Sequence, residues 1–176
     1  MNEFKLIRPS EEYAEEIIAY RNEFLAAGNI FNGSSGLEMY EDPVKWIKHC
    51  RSVEKEKTLP GPDWVTADQF MLIRVNDGRI LGLINLRHRL NEHLAKYGGH
   101  IGYSVRPSER RKGYAKKMMS LCMPRCRELG IEKVLVTCRA DNEASRRTIV
   151  SAGGVLEGTI YYEVKDVILQ RYWIAL

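Results

Sequence analysis

The stretch RPSERRKGYAKK, residues 106–117, decides the fold, because a β-rich run (Gly99 to Arg106) leads into it and an amphipathic run (Lys112 to Leu129) continues from it. Six basic residues stand here against one acid: Arg106, Arg110, Arg111, Lys112, Lys116 and Lys117. The free N–H groups and the dipole at a helix start favour anions. Gly113 and Ala115 leave room for a ligand close to the backbone. The segment therefore predicts a phosphate-binding turn between a strand and a helix.

The runs on either side predict alternating strands and helices. Before the basic segment we expect a strand at Glu3 to Pro9, a helix from Ser10 to about Gly28, a mobile loop at Asn29 to Glu41, a helix from Asp42 to about Glu56, and a hairpin of Phe70 to Asn76 with Ile80 to Leu90. After it we expect a strand at Lys133 to Arg139, a helix at Asn142 to Ala152, and strands at Val155 to Glu163 and Val167 to Ile174. Asp77-Gly78 suits a type I′ turn in the hairpin.

One connection in this order fixes the kind of sheet. The helix that joins the strand at Gly99 to the strand at Lys133 is a crossover, which implies a parallel pair. The remaining neighbours are joined as in antiparallel meanders. The sequence therefore predicts the α+β class, with a mixed and mainly antiparallel sheet.

Length and composition limit the alternatives. The 176 residues suit one domain, residues 1–176, and 44% hydrophobic content suffices for a core. The net charge is +4, but the basic segment alone carries +5, so the rest of the chain is nearly neutral. No stretch approaches the length of a membrane span, and the N-terminal residues are charged where a signal peptide is apolar. We therefore expect a cytoplasmic protein with no membrane partner.

The cysteines predict neither disulfides nor a metal site. Cys50, Cys122, Cys126 and Cys138 contain no CxxC spacing, and Cys122 and Cys126 have no accompanying His or acidic pair. We expect all four to be buried as small hydrophobic residues.

The spacing Arg110-x-x-Gly113-x-Ala115 resembles the [Q/R]-x-x-G-x-[G/A] signature of the GNAT acetyltransferase superfamily. Asn142-x-x-Ser145 and Gly153 in the next strand–helix unit, and the order of elements over nearly the whole chain, extend the resemblance. It implies a three-layer α/β/α fold around a sheet of about seven strands, with a splayed parallel pair.

The resemblance also implies acetyl-CoA as co-substrate and no metal. Its pyrophosphate would lie on the amides of Arg110, Arg111, Lys112, Gly113, Tyr114 and Ala115, with Arg110, Arg111 or Lys116 at the phosphates. Its pantetheine arm would pair with Tyr103, Ser104 and Val105, and Asn142 would bond this arm or hold the strand–helix turn. The N–H near Val105 would stabilise the oxyanion during acetyl transfer.

Proton transfer is where the chain departs from the family pattern. Many members have a tyrosine that protonates the departing thiolate, but Ile149 stands at that position. Ser145 is the remaining candidate for bonding the sulfur, unless it is simply a small helix residue. For the base, His100 is the first candidate, followed by His88 and then Glu92 or a water. The alternative for each histidine is a strand residue whose imidazole bonds the backbone.

The sequence says less about the acceptor, the amine that would receive the acetyl group. In this fold its cleft would be framed by Phe31 to Tyr40, Trp64 and Arg87 to Leu94, and Glu38, Glu41, Asp63 and Asp68 would attract a cationic amine. A polyamine, an aminoglycoside, an amino acid and a protein amino terminus all remain open.

We therefore predict an N-acetyltransferase that moves acetyl from acetyl-CoA to a small-molecule or peptide amine, with a homodimer through the last strands as a further expectation. The alternatives are an acyl-CoA sensor without turnover and a nucleic-acid-binding module. The last is disfavoured because the basic residues surround a Gly/Ala turn, so we expect no nucleic-acid partner.

Overall fold

A computed structural model of the chain describes residues 3–176. Its helices are α1 (Ala14–Ala26), α2 (Pro43–Ser52), α3 (Tyr114–Glu128) and α4 (Glu143–Ser151). Its strands are β1 (Phe4–Ile7), β2 (Ala67–Arg74), β3 (Arg79–Arg87), β4 (Ile101–Val105), β5 (Lys133–Arg139), β6 (Val155–Tyr162) and β7 (Val167–Ala175). Each lies within about four residues of its predicted position. No helix among these residues is long and apolar enough to cross a membrane.

The strands form two antiparallel sheets that meet at one point. The first sheet has the order β1-β2-β3-β4 and the second has the order β5-β7-β6. The His100 N–H donates to the Leu135 carbonyl at 2.7 Å, and the Leu135 N–H donates back to the His100 imidazole Nδ1 at 2.9 Å. Because a side chain takes the place of a backbone carbonyl, no ladder continues along β4 and β5. The predicted parallel pairing does not form among residues 3–176: the strands divide into two antiparallel sheets, and the bridge between Gly99 and Val136 is antiparallel as well.

Helices cover both faces of the first sheet. α1 and α2 bury Tyr20, Phe24 and Trp46 in a cluster with residues of β2 and β3. α3 and α4 bury Met118, Ile149 and their neighbours in a second cluster that also includes residues of β5 and β7. This is a three-layer α/β/α arrangement, and the predicted α+β class is confirmed.

Two smaller predictions have different outcomes. All four cysteines are free and buried, as expected. The hairpin turn is not type I′, which requires a positive φ at both central residues: Gly78 has φ +67°, but Asp77 does not have a positive φ. The Asp77 carboxylate instead accepts from Arg74 Nε at 3.0 Å and from the Arg79 N–H at 3.3 Å, in a four-residue connection between β2 and β3.

Candidate functional site

The turn before α3, residues 110–115, presents an open set of backbone amides, and we call it the anion turn. Gly113 is the N-cap of α3 with φ +83°, and no side chain caps this helix. A Cβ on Gly113 would contact nothing within 4 Å, and Arg111 also has a positive φ, +62°. Because the first-turn N–H groups of a helix have no partner inside it, they are free to bind an anion here.

Some of the basic side chains in residues 106–117 are paired with acidic side chains, and the others are not. Arg106 is 3% exposed and pairs with Glu16 and Glu23 of α1, and Lys112 Nζ lies 2.8 Å from a Glu109 carboxylate oxygen. These two side chains therefore contribute little to anion binding, contrary to the count from sequence. Among the described residues no acid pairs with Arg110, Arg111, Lys116 or Lys117, which are all exposed.

A network of carboxylates holds the anion turn in place. Glu23 accepts from Arg106 Nε at 2.6 Å and from the Ser108 N–H at 2.7 Å. Burial raises the pKa of Glu23, but these hydrogen bonds outweigh it and the pKa falls to about 2. Glu109 is 5% exposed and bonds Arg79 Nε at 3.0 Å. The turn is thereby fixed to α1 and to the start of β3.

β4 is an edge strand, and the backbone N–H and C=O groups of its successive residues point alternately towards β3 and into the gap between the two sheets. Arg87 and His100, and likewise Leu81 and Arg106, are hydrogen-bonded across the β3–β4 ladder, so Ser104 also faces β3. The backbone groups of Tyr103 and Val105 therefore point to the open side. Arg110 Nε donates to the Val105 carbonyl oxygen at 3.2 Å. On Val105, only the backbone N–H therefore remains open to a ligand.

The predicted role of Ser104 has little support from its geometry. Its side chain Oγ lies 3.1 Å from the hydroxyl of Tyr20, on the face of the sheet covered by α1. Its backbone belongs to the β3 ladder. The side chain and backbone of Ser104 are both engaged inside the protein, so Tyr103 and Val105 remain as the strand residues open to a ligand.

Tyr103 and Ser145 come together across the gap between β4 and α4. Their hydroxyl oxygens lie 2.7 Å apart, and burial raises the pKa of Tyr103 to about 12. The Asn142 side chain accepts from the Ser145 N–H at 3.0 Å and so caps α4, which is the turn-holding alternative for this residue. Ile149 is fully buried in the core.

The two histidines singled out from the sequence are engaged elsewhere. His100 is 8% exposed, its Nδ1 accepts the Leu135 N–H, and burial together with the Arg87 charge lowers its pKa. This is the backbone-bonded alternative considered for a strand histidine. His88 Nε2 lies 3.2 Å from Asp68, which also binds Arg8 and Arg125. Glu92 is paired with Lys96 at 2.9 Å.

A cavity of about 770 Å³ lies on the α2 side of the first sheet, and we call it the acceptor pocket. Its lining matches the predicted cleft: residues 31–36, 39–40, 49, 53, 60, 63–65, 67, 85, 87, 91 and 93–94. Of the four acids expected to attract an amine, Asp63 lines it and the other three do not. Asp68 is 1% exposed and pairs with Arg125 of α3, on the opposite face of the sheet.

The loop of residues 31–36 ties this pocket to β4. A Cβ on Gly33 would lie 2.1 Å from the Gly102 carbonyl oxygen, so only glycine allows the two backbones to touch. Gln69 Nε2 donates to the Gly33 carbonyl at 2.9 Å, and Ser35 donates to Gln69 at 2.7 Å. The loop predicted to be mobile is therefore fastened to the sheet, one residue away from Tyr103.

Sequence reasoning missed His49, a pocket residue on α2. Its ring lies 5.7 Å from that of Tyr40 and 5.6 Å from that of Trp64, and its nitrogens make no hydrogen bond within residues 3–176. Burial lowers the pKa of His49. No motif marks this residue, since its neighbours Trp46, Ile47 and Cys50 form an ordinary buried helix face. Within the described chain no group of three or more His, Cys, Asp or Glu residues is placed to hold a metal ion.

Residues 6–155 match the model of the acetyltransferase (GNAT) domain family. The chain belongs to the GNAT acetyltransferase family. The resemblance seen in the anion turn is thereby confirmed. None of the curated proteins matches this chain.

Solved GNAT structures share the fold at low sequence identity. RimJ from Mycobacterium smegmatis in complex with CoA-disulfide has a TM-score of 0.72 at 17% identity, covering 98% of this chain and 81% of that one. The microcin C7 self-immunity acetyltransferase MccE in complex with acetyl-CoA and AMP has a TM-score of 0.70 at 17% identity, covering 99% of this chain and 93% of that one. RimL, a ribosomal L7/L12 α-N-protein acetyltransferase in complex with coenzyme A, has a TM-score of 0.69 at 16% identity, covering 98% of this chain and 94% of that one. These similarities show the fold.

Proposed function

We propose that this protein is an N-acetyltransferase that moves the acetyl group of acetyl-CoA to a primary amine by direct attack in a ternary complex. The observation that carries the proposal is the juxtaposition of three features. The open edge of β4 leads into the uncapped N-terminus of α3, and the acceptor pocket abuts the same strand at Gly102. A donor on one side and an amine on the other would meet at β4.

The donor would be held mainly by backbone groups. The amides of the anion turn would bind the pyrophosphate, with Arg111 and Lys116 as unpaired cations nearby. The open backbone groups of Tyr103 would pair with the pantetheine arm as an added strand does. The free Val105 N–H would donate to the thioester oxygen as charge develops there.

Acetyl transfer also needs a proton acceptor and a proton donor. The amine nitrogen attacks the thioester carbonyl carbon, the C–S bond breaks, and the amine loses one proton while the thiolate gains one. His49 fits the acceptor role, since its lowered pKa keeps the imidazole neutral near pH 7. Ser145, hydrogen-bonded to Tyr103, fits the donor role at the sulfur in place of the tyrosine that Ile149 replaces.

The test is thiol release from acetyl-CoA with a panel of amines, with mass spectrometry of the product. We expect release that depends on one class of amine and a product heavier by one acetyl group on nitrogen. A Gly113→Glu variant controls for spontaneous hydrolysis. Tight binding of acetyl-CoA without amine-dependent release would overturn the proposal and favour the acyl-CoA sensor.

A further inference from the structure

Arg87, the last residue of β3, brings a positive charge to the acceptor pocket without an acidic partner. Its side chain lines the pocket, and Nη1 donates to the carbonyl oxygens of Gly98 and Gly99 at 3.2 and 3.1 Å. Within residues 3–176 no Asp or Glu forms an ion pair with it, and burial alone lowers the pKa of Arg87. Nε and Nη2 keep unused donors.

Two other enclosed arginines, Arg106 and Arg171, are neutralised by carboxylates. Arg21 lacks an acidic partner as Arg87 does, but it donates to the carbonyls of Leu37 and Glu38 and does not line the pocket. Arg106 is held by Glu16 and Glu23. Arg171 is a close comparison, because it also donates to two loop carbonyls, those of Ala95 and Lys96, yet it pairs with Glu157 at 2.6 Å as well. A charge removed from water without a counter-ion is costly. Arg87 therefore has no counter-ion within the described residues, and a bound ligand can supply one.

The neighbouring polar groups do not provide that anion. Asn85 is bonded to Ser35 and Gln69, and Asn91 accepts from the Leu94 N–H. Asp63, the acid that lines the pocket, is exposed and pairs with no cation in the described chain. The site is thus a cation at the inner wall of a cavity.

We propose that Arg87 binds an anionic oxygen group, a carboxylate or a phosphate, on the amine acceptor. The inference rests on the proposed function and narrows it: the acceptor is an amine that carries its own negative charge, rather than a polyamine or an aminoglycoside. Nη2 lies 3.7 Å from where a Cβ on Gly102 would be, and Val105 is three strand residues further on, about 10 Å. The anion and the reacting nitrogen of the acceptor then lie within about 10 Å of each other.

Matched pairs of acceptors test the claim by kinetics. Glycine against glycinamide isolates a carboxylate, and phosphoethanolamine against ethanolamine isolates a phosphate. We expect kcat/KM to favour one anionic member by about 10- to 100-fold, as for a hydrogen bond to a charged group. In Arg87→Gln this preference should collapse while activity on the neutral member persists. Arg89→Gln is the matched control, because it removes the same charge two residues away at an exposed pair with Glu56.

A purely structural role for Arg87 gives a different pattern: both members of a pair would lose activity equally, which would overturn the proposal. A preference for the neutral members in the wild-type protein would do the same.

A second measurement does not depend on turnover. Nuclear magnetic resonance of the arginine Nε–H signals, during titration with N-acetylglycine, N-acetylglycinamide or inorganic phosphate, should show saturable shifts of the Arg87 signal with one of the anions and none with the amide. Absence of shifts with both anions overturns the inference even if acetylation occurs. Shifts without acetylation of any amine support the anion site and count against the proposed function alone.

Discussion

The phenolic oxygen of Tyr103 lies 2.7 Å from the hydroxyl oxygen of Ser145, across the gap that separates β4 from α4. This pair stands where the open backbone of β4 faces the same gap. Because burial raises the pKa of Tyr103 to about 12, its hydroxyl stays protonated at working pH and supports Ser145 as a hydrogen-bond donor. In the proposed mechanism, this pair takes the place of the family tyrosine, at whose position the chain has Ile149.

Ser145→Ala is therefore expected to lower kcat by about 10- to 100-fold, because it removes the donor at the departing sulfur. The dissociation constant for acetyl-CoA should change by less than about threefold. Tyr103→Phe should have a smaller effect on kcat, and the double variant should lose no more than Ser145→Ala, as expected for residues acting in one chain. Ser151→Ala, an exposed serine on the same helix, is the control. Wild-type kcat in Ser145→Ala contradicts the role.

Gly113→Glu is expected to raise the dissociation constant for acetyl-CoA by more than about 100-fold, since a carboxylate would stand where phosphates bind. Gly113→Ala is the matched control: with φ +83° it imposes the same backbone strain, about 1–2 kcal/mol, without the charge. A Cβ there contacts nothing, so both variants should fold. Calorimetric titration measures the affinities, and equal values for the two variants would refute an anion site at this turn.

The elements were predictable because their signals are local. Gly113 and Ala115 mark the anion turn within six residues of chain, and hydrophobic periodicity gave the helices and strands to within a few residues. The use of each charge was not predictable in this way. Arg106 counts as one more cation in the sequence, but its partners Glu16 and Glu23 are more than 80 residues away in the chain. The break between the two sheets at His100 and Leu135 likewise depends on a side chain replacing a backbone group 35 residues away.

The pH dependence of kcat/KM distinguishes His49 from His100 as the base. The neutral form of a base is the active one, so activity falls as pH falls through its pKa. Since burial lowers the pKa of His49, the acidic limb of kcat/KM should lie below pH 6.5 in the wild-type protein. His49→Gln should lower kcat and remove this limb. His100→Gln should keep the limb and reduce the free energy of unfolding by about 1–3 kcal/mol, because the Leu135 N–H loses its acceptor. Loss of the limb in His100→Gln alone would restore His100 as the base.

The salt bridge that holds the anion turn predicts a loss of stability in acid. The pKa of Glu23 is about 2 in the folded protein, against 4.5 for an unperturbed glutamate. A depressed folded pKa stabilises the fold above the unfolded value, so this contribution is present above pH 4.5 and is lost as pH falls from 4.5 towards 2. Urea unfolding between pH 7 and pH 3 measures the loss. Glu23→Gln should unfold more easily at pH 7 and show a shallower decline in acid, because the titrating group is gone. Arg106→Met leaves Glu16 without its cation and Glu23 with only Arg79, at 3.7 Å, and should cost about 3–5 kcal/mol, the range for breaking one partner of a buried pair. An unchanged pH profile in Glu23→Gln would show that the turn is held by packing rather than by this charge.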